Sequence, residues 1–80
     1  MRTTSGALFF ADHVPNEDAD VVRRLRAAGA VIMGTTNMTE FAVGGLGLNP
    51  HFGNCRNPYD RDTGRVPGGS SSGAAISVTD

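Results

Sequence analysis

The chain has 80 residues, a formal net charge of −1, 39% hydrophobic residues, seven arginines and no lysine. Leu, Ile, Val and Phe together account for 17 positions, near the lower bound of roughly 20% for globular chains, so the sequence admits one small domain with a thin core and burial of only about 60–65% of its unfolded surface. The near-neutral balance argues against a disordered polyanion and against nucleic acid as a partner, because Arg56, Arg61 and Arg65 alternate with Asp60 and Asp62 and form no basic stripe. No apolar run approaches the ~18 residues of a membrane span.

The first residues, "MRTTSGALFFADH", lack the long apolar stretch of a secretory leader. The lone Cys55 excludes an internal disulfide and fits a reducing compartment, so a cytoplasmic setting is expected.

The clearest element is a helix over roughly Glu17 to Ala28, "EDADVVRRLRAA". Asn16 is its expected N-cap. Glu17, Asp18 and Asp20 near the start and Arg23, Arg24 and Arg26 near the end complement the helix dipole. Val21, Val22, Leu25 and Ala28 recur at helical spacing, which predicts an apolar stripe with Val22 and Leu25 against apolar neighbours. Gly29 follows as the expected C-terminal cap.

"AVIM", Ala30 to Met33, is short and wholly apolar. It reads as a strand buried on both faces, and a helix followed by such a strand points to an α/β fold. With no other strand in evidence, at most one partner strand is expected within the chain. "NMTEFAVG" then reads as one or two helical turns capped by Asn37 or Thr39.

From Gly44 to Gly73 no period persists, and the segment holds eight of the eleven glycines and three of the four prolines. Phe52, Cys55, Tyr59 and Val66 are spaced along it like anchors, which favours a functional loop over a disordered one. After Gly73, "AAISV" is compatible with a helix.

"VPGGSSSGAA", Val66 to Ala75, has three readings. A phosphate cradle would need Lys-Ser/Thr after its last glycine, and Ala74 and Ala75 stand there. A flexible Gly/Ser linker is the bland reading. A catalytic loop is the third, since a serine cluster opening a helix brings hydroxyls and free N–H groups to one spot. His51 and Cys55, four residues apart, are too few for a zinc site, and no metal is expected. Nothing in the sequence sets His13 or His51 beside a serine. Glu40 is a solvated or capping residue, or faces a pocket.

In order and spacing, "AGAVIMGTTNMTEFA", "GLNPHFGNCRNPYD" and "RVPGGSSSGAA" resemble the amidase signature family, and the preceding "TTSGALFFADHVPNEDADVVRRLRAAG" resembles that family's helix before its strand. The resemblance covers nearly the whole chain. It implies an α/β fold, of which residues 1–80 would be a partial domain: a piece of a mixed central sheet covered by helices. It also implies cleavage or transfer of an amide nitrogen by a Ser–cisSer–Lys triad that uses no cofactor, with a small-molecule amide as substrate of the full-length parent. Ser70 would be the cis serine, held by a Gly69–Ser70 cis peptide, with Ser71 and Ser72 supporting the backbone. The family's lysine and nucleophilic serine would lie before Met1 and beyond Asp80, making this a fragment inactive alone. Thr35 departs from the lysine of "GKTN" in many relatives, which is not the catalytic one. The alternatives are a non-catalytic binding module and a glutamyl-tRNA amidotransferase-type subunit.

Overall fold

A computed structural model describes all of residues 1–80. Two helices, α1 (Asp20–Ala27) and α2 (Ser72–Thr79), and two single 3-10 turns, Leu8–Phe10 and Glu40–Ala42, are its only regular elements. Neither helix packs against another element. The chain exposes 5953 Å², against about 4,600 Å² for a compact protein of this size. Its radius of gyration of 13.7 Å likewise exceeds the about 12 Å of a compact domain.

The expected α/β architecture is therefore not present: the chain contains no strand and no sheet. Ala30–Met33 has no regular structure, and Val31, Ile32 and Met33 make no backbone hydrogen bond to another segment. Val31 and Met33 are 84% and 93% exposed. A strand exists only through a ladder with a neighbour, and an apolar run cannot supply one for itself.

α1 starts three residues later than its sequence pattern suggests. Ala19 is the N-cap and Asn16 caps nothing. The first helical bond runs from the Arg23 N–H to the Ala19 carbonyl. Asp18, outside the helix, instead pairs with Arg26 at 3.0 Å, while Asp20 pairs with Arg23 and, at 2.7 Å, with Arg24. The apolar stripe is uncovered: α1 buries no residue, and Leu25 is 47% exposed. The C-terminus does match its expectation. Gly29 has φ +94°, its N–H donates to the Arg26 carbonyl, and the Ala30 N–H donates to the Leu25 carbonyl. These two bonds form a Schellman cap, which needs a left-handed residue where Gly29 stands.

The helical turns expected in "NMTEFAVG" shrink to the 3-10 turn Glu40–Ala42. Thr39 occupies its N-cap position without a side-chain bond. The Phe41 N–H donates to the Ser5 carbonyl at 2.8 Å, and Phe41 and Ala42 take positive φ, so the helix cannot propagate.

Gly44 to Ser71 is irregular but locally built. In "NPYD" the Asn57 carbonyl accepts the Asp60 N–H and its side-chain oxygen accepts the Tyr59 N–H, an Asx turn with Pro58 at the second position. Asp60 closes the loop through the Thr63 N–H and Arg65. Of the expected anchors, Cys55 is half-buried, Phe52 and Val66 are each 45% exposed, and Tyr59, at 95% exposed, anchors nothing within the chain.

The buried centre is small and mostly polar. It consists of Gly6, Ala7, Gly47, Asn49 and Ser72, where four loop segments converge. This convergence positions the site.

Candidate functional site

The centre is assembled by backbone approach. A Cβ on Gly47 would overlap the Gly68 carbonyl oxygen and stand 2.8 Å from both Pro67 Cγ and Ser72 Cβ; one on Gly73 would stand 2.6 Å from Thr36 Cβ. Glycine at these two places lets segment 36–39 and residue 47 lie directly against the Gly/Ser loop.

Hydrogen bonds then fix the loop at two points. The Asn37 carbonyl accepts the Gly73 N–H at 2.8 Å and the Ser72 hydroxyl at 3.2 Å. The Ser70 carbonyl accepts the Thr39 N–H at 2.9 Å. The Gly69–Ser70 peptide is cis.

The three serines thus differ by environment. Ser72 is fully buried and its hydroxyl is committed to Asn37. Ser71 is exposed and sits at the N-cap of α2, with no side-chain cap bond; its carbonyl accepts the Ala75 N–H. Ser70 is half-buried. It lines an open groove of about 610 Å³ together with Gly69, Ser71, Ala74 and Val78. Of the three, Ser70 combines a fixed backbone, a partly sheltered position and a hydroxyl not engaged by the chain, the properties a proton-transferring alcohol requires. Thr39 borders the same loop, with Oγ1 buried and without a hydrogen-bond partner.

Neither histidine joins this group. His51 Nε2 lies 3.3 Å from Glu40 Oε1, so Glu40 is a partner of His51. His13 packs edge-on against Phe10 at 5.7 Å. No group of His, Cys, Asp and Glu side chains is arranged to hold a metal ion. No helix is long and apolar enough to cross a membrane. A second cavity, about 640 Å³ and bordered by Arg2, Thr4, Thr36, Asn54 and Cys55, contains no paired acid and base.

The residue that sequence reasoning missed is Asn49. Its amide nitrogen donates to the Gly6 carbonyl at 2.7 Å and the Met38 carbonyl at 2.8 Å. Its amide oxygen accepts the His51 and Phe52 N–H groups, both at 2.9 Å. The second pair was legible, because Asn before Pro is a turn signal. The first pair spans 43 and 11 residues and has no local signature.

The family model described as amidase matches residues 1–79. Among similar curated proteins, the glutamyl-tRNA(Gln) amidotransferase A subunit of Cupriavidus necator is 52% identical over 77 residues, which is 96% of this chain and 15% of the relative. The proteins of the same name from an Azoarcus species and from Moorella thermoacetica are each 53% identical over 78 residues, 98% of this chain and 16% of the relative. The chain therefore spans about a sixth of the length of these relatives. No solved structure matches it.

Proposed function

Because the chain belongs to the amidase family, we propose that it carries the relay segment of an amide-cleaving active site, of the kind its glutamyl-tRNA(Gln) amidotransferase relatives are named for, with Ser70 as the relay. The carrying observation is the contrast within the Gly/Ser loop. Ser72 is buried and bonded, whereas Ser70 is fixed through its carbonyl, lines the groove and has a hydroxyl with no hydrogen bond within the chain. The relatives' printed name supports the amidotransferase type over a plain hydrolase. By that name the site would sit in one subunit of a larger enzyme acting on charged tRNA; the groove itself would take the small amide donor. A free Cys55 thiol fits a cytoplasmic setting for it.

In this mechanism a neutral lysine takes the Ser70 proton while Ser70 takes the proton of a second, nucleophilic serine. That serine attacks the amide carbon, and the departing nitrogen leaves with the proton returned along the same path. Neither of the other two groups is among these 80 residues as a bonded partner of Ser70, and there is no lysine at all. Arg cannot replace it, since it stays protonated.

The purified chain should therefore hydrolyse no aliphatic or aryl amide above the level of its Ser70→Ala variant. A chimera of the Cupriavidus necator relative in which this chain replaces the 77 aligned residues should convert glutamyl-tRNA(Gln) to glutaminyl-tRNA(Gln) when assembled with its companion subunits. Ser70→Ala should lower its rate constant strongly and leave substrate binding largely intact, because the relay acts in the transition state. A chimera whose rate is unchanged by Ser70→Ala, while Ser72→Ala abolishes it, would reverse the assignment.

A further inference from the structure

We propose that Asn49 is the positioning residue of this site and that it acts on Ser70 through a single peptide group, the one joining Met38 to Thr39. The inference rests on the reading of Ser70 as the relay. It concerns how that serine is held.

Asn49 is 1% exposed and every hydrogen-bonding position of its side chain that points inward is engaged: two N–H donors, to Gly6 and Met38, and two lone pairs, from His51 and Phe52. An amide is the side-chain group that offers two donors and two acceptors at this length. Asp lacks the donors, Ser lacks the reach, and Gln adds a methylene to a closed space.

The Met38 carbonyl that accepts from Asn49 belongs to the same planar peptide as the Thr39 N–H that donates to Ser70. A peptide is rigid about its C–N bond, so fixing the carbonyl end orients the N–H end. A hydrogen bond at the carbonyl also polarises the group and strengthens its N–H as a donor. The path is therefore continuous: Asn49 amide, Met38–Thr39 peptide, Ser70 carbonyl. The other attachment of the loop, Asn37 to Ser72 and Gly73, uses a different peptide and no atom of Asn49. Asn49 should govern the Ser70 end selectively.

Across-hydrogen-bond scalar couplings in the isotopically labelled 80-residue chain test this without any turnover, so the result is independent of whether the amide-cleaving role holds. The unsubstituted chain should show both the Thr39 N to Ser70 carbonyl coupling and the Gly73 N to Asn37 carbonyl coupling. Asn49→Asp should lose the first and keep the second, with the Thr39 amide exchanging at least about tenfold faster. Asn49→Ser, smaller and uncharged, is the second variant and should show the same selective loss. Ser70→Ala should keep both couplings, because the bond uses its carbonyl. The inference is overturned if either Asn49 variant keeps the Thr39–Ser70 coupling, if both variants lose both couplings, or if the unsubstituted chain lacks the first.

Discussion

Replacing Gly47 by alanine should loosen the Gly/Ser loop more than any other glycine-to-alanine change at an equally left-handed position. Gly47 has φ +77°, and a side chain there carries a backbone cost of about 1–2 kcal/mol. The added methyl would also collide with the Gly68 carbonyl and stand 2.8 Å from Pro67 Cγ and Ser72 Cβ. Two of these three neighbours are backbone or ring atoms that cannot rotate away, so relief requires shifting the loop, at about 1–3 kcal/mol for overpacking. The sum is about 2–5 kcal/mol. Gly53 is the control: φ is +84° and nothing lies within 4 Å of its built Cβ, leaving only the backbone part. Amide exchange at Thr39 and Gly73, the two N–H groups that tie the loop down, reads the local effect. Gly47→Ala should cost these amides at least about tenfold more protection than Gly53→Ala does. Equal losses in the two variants would show that the close approach of residue 47 to the loop contributes nothing.

Gly29→Ala should destabilise α1 by about 1–2 kcal/mol, since the Schellman cap requires positive φ there and no neighbour compensates; far-UV circular dichroism and exchange of the Ala30 amide report it, and unchanged helicity would refute the cap. Thr39→Val should stabilise the chain by about 1 kcal/mol in denaturant titration, because it removes a buried hydroxyl with no partner while keeping the backbone bond to Ser70; a loss of stability would mean that the hydroxyl is engaged. The Asp60 carboxyl is held below the usual carboxylate range by hydrogen bonds from the Thr63 side chain and backbone and then from Arg65. A folded pKa below the unfolded one contributes stability that is present above the unfolded value of about 3.9 and is lost as pH falls through the lower folded value. An NMR titration of the Asp60 carboxyl carbon should place its midpoint below about 3.9, and Asn57–Arg65 pairing should weaken in step; a midpoint at or above that value would sink the argument.

What could be read from the residues alone were features whose cause lies within a few positions. The Gly29 cap and a helix after the serines both follow from local backbone preferences. The order of the "TNMTEFA", "NPHFGNCRNPYD" and "PGGSSSGAA" segments was enough to name the family, which the match over residues 1–79 then showed. The strand at Ala30–Met33 was misread because apolarity signals burial, and burial depends on neighbours that residues 1–80 do not place there. The start of α1 was misread because a capping residue type at position 16 does not by itself make a cap: Asn16 makes no cap bond, and the helix begins after Ala19. The resemblance singled out Ser70 among the three serines, but only the tertiary structure set their environments, burying Ser72 and leaving Ser70 to line the groove. Tertiary structure alone brought Asn49 to Gly6 and Met38, because a side-chain amide's choice of carbonyl is settled by where distant loops meet, and no periodicity in the sequence encodes that distance.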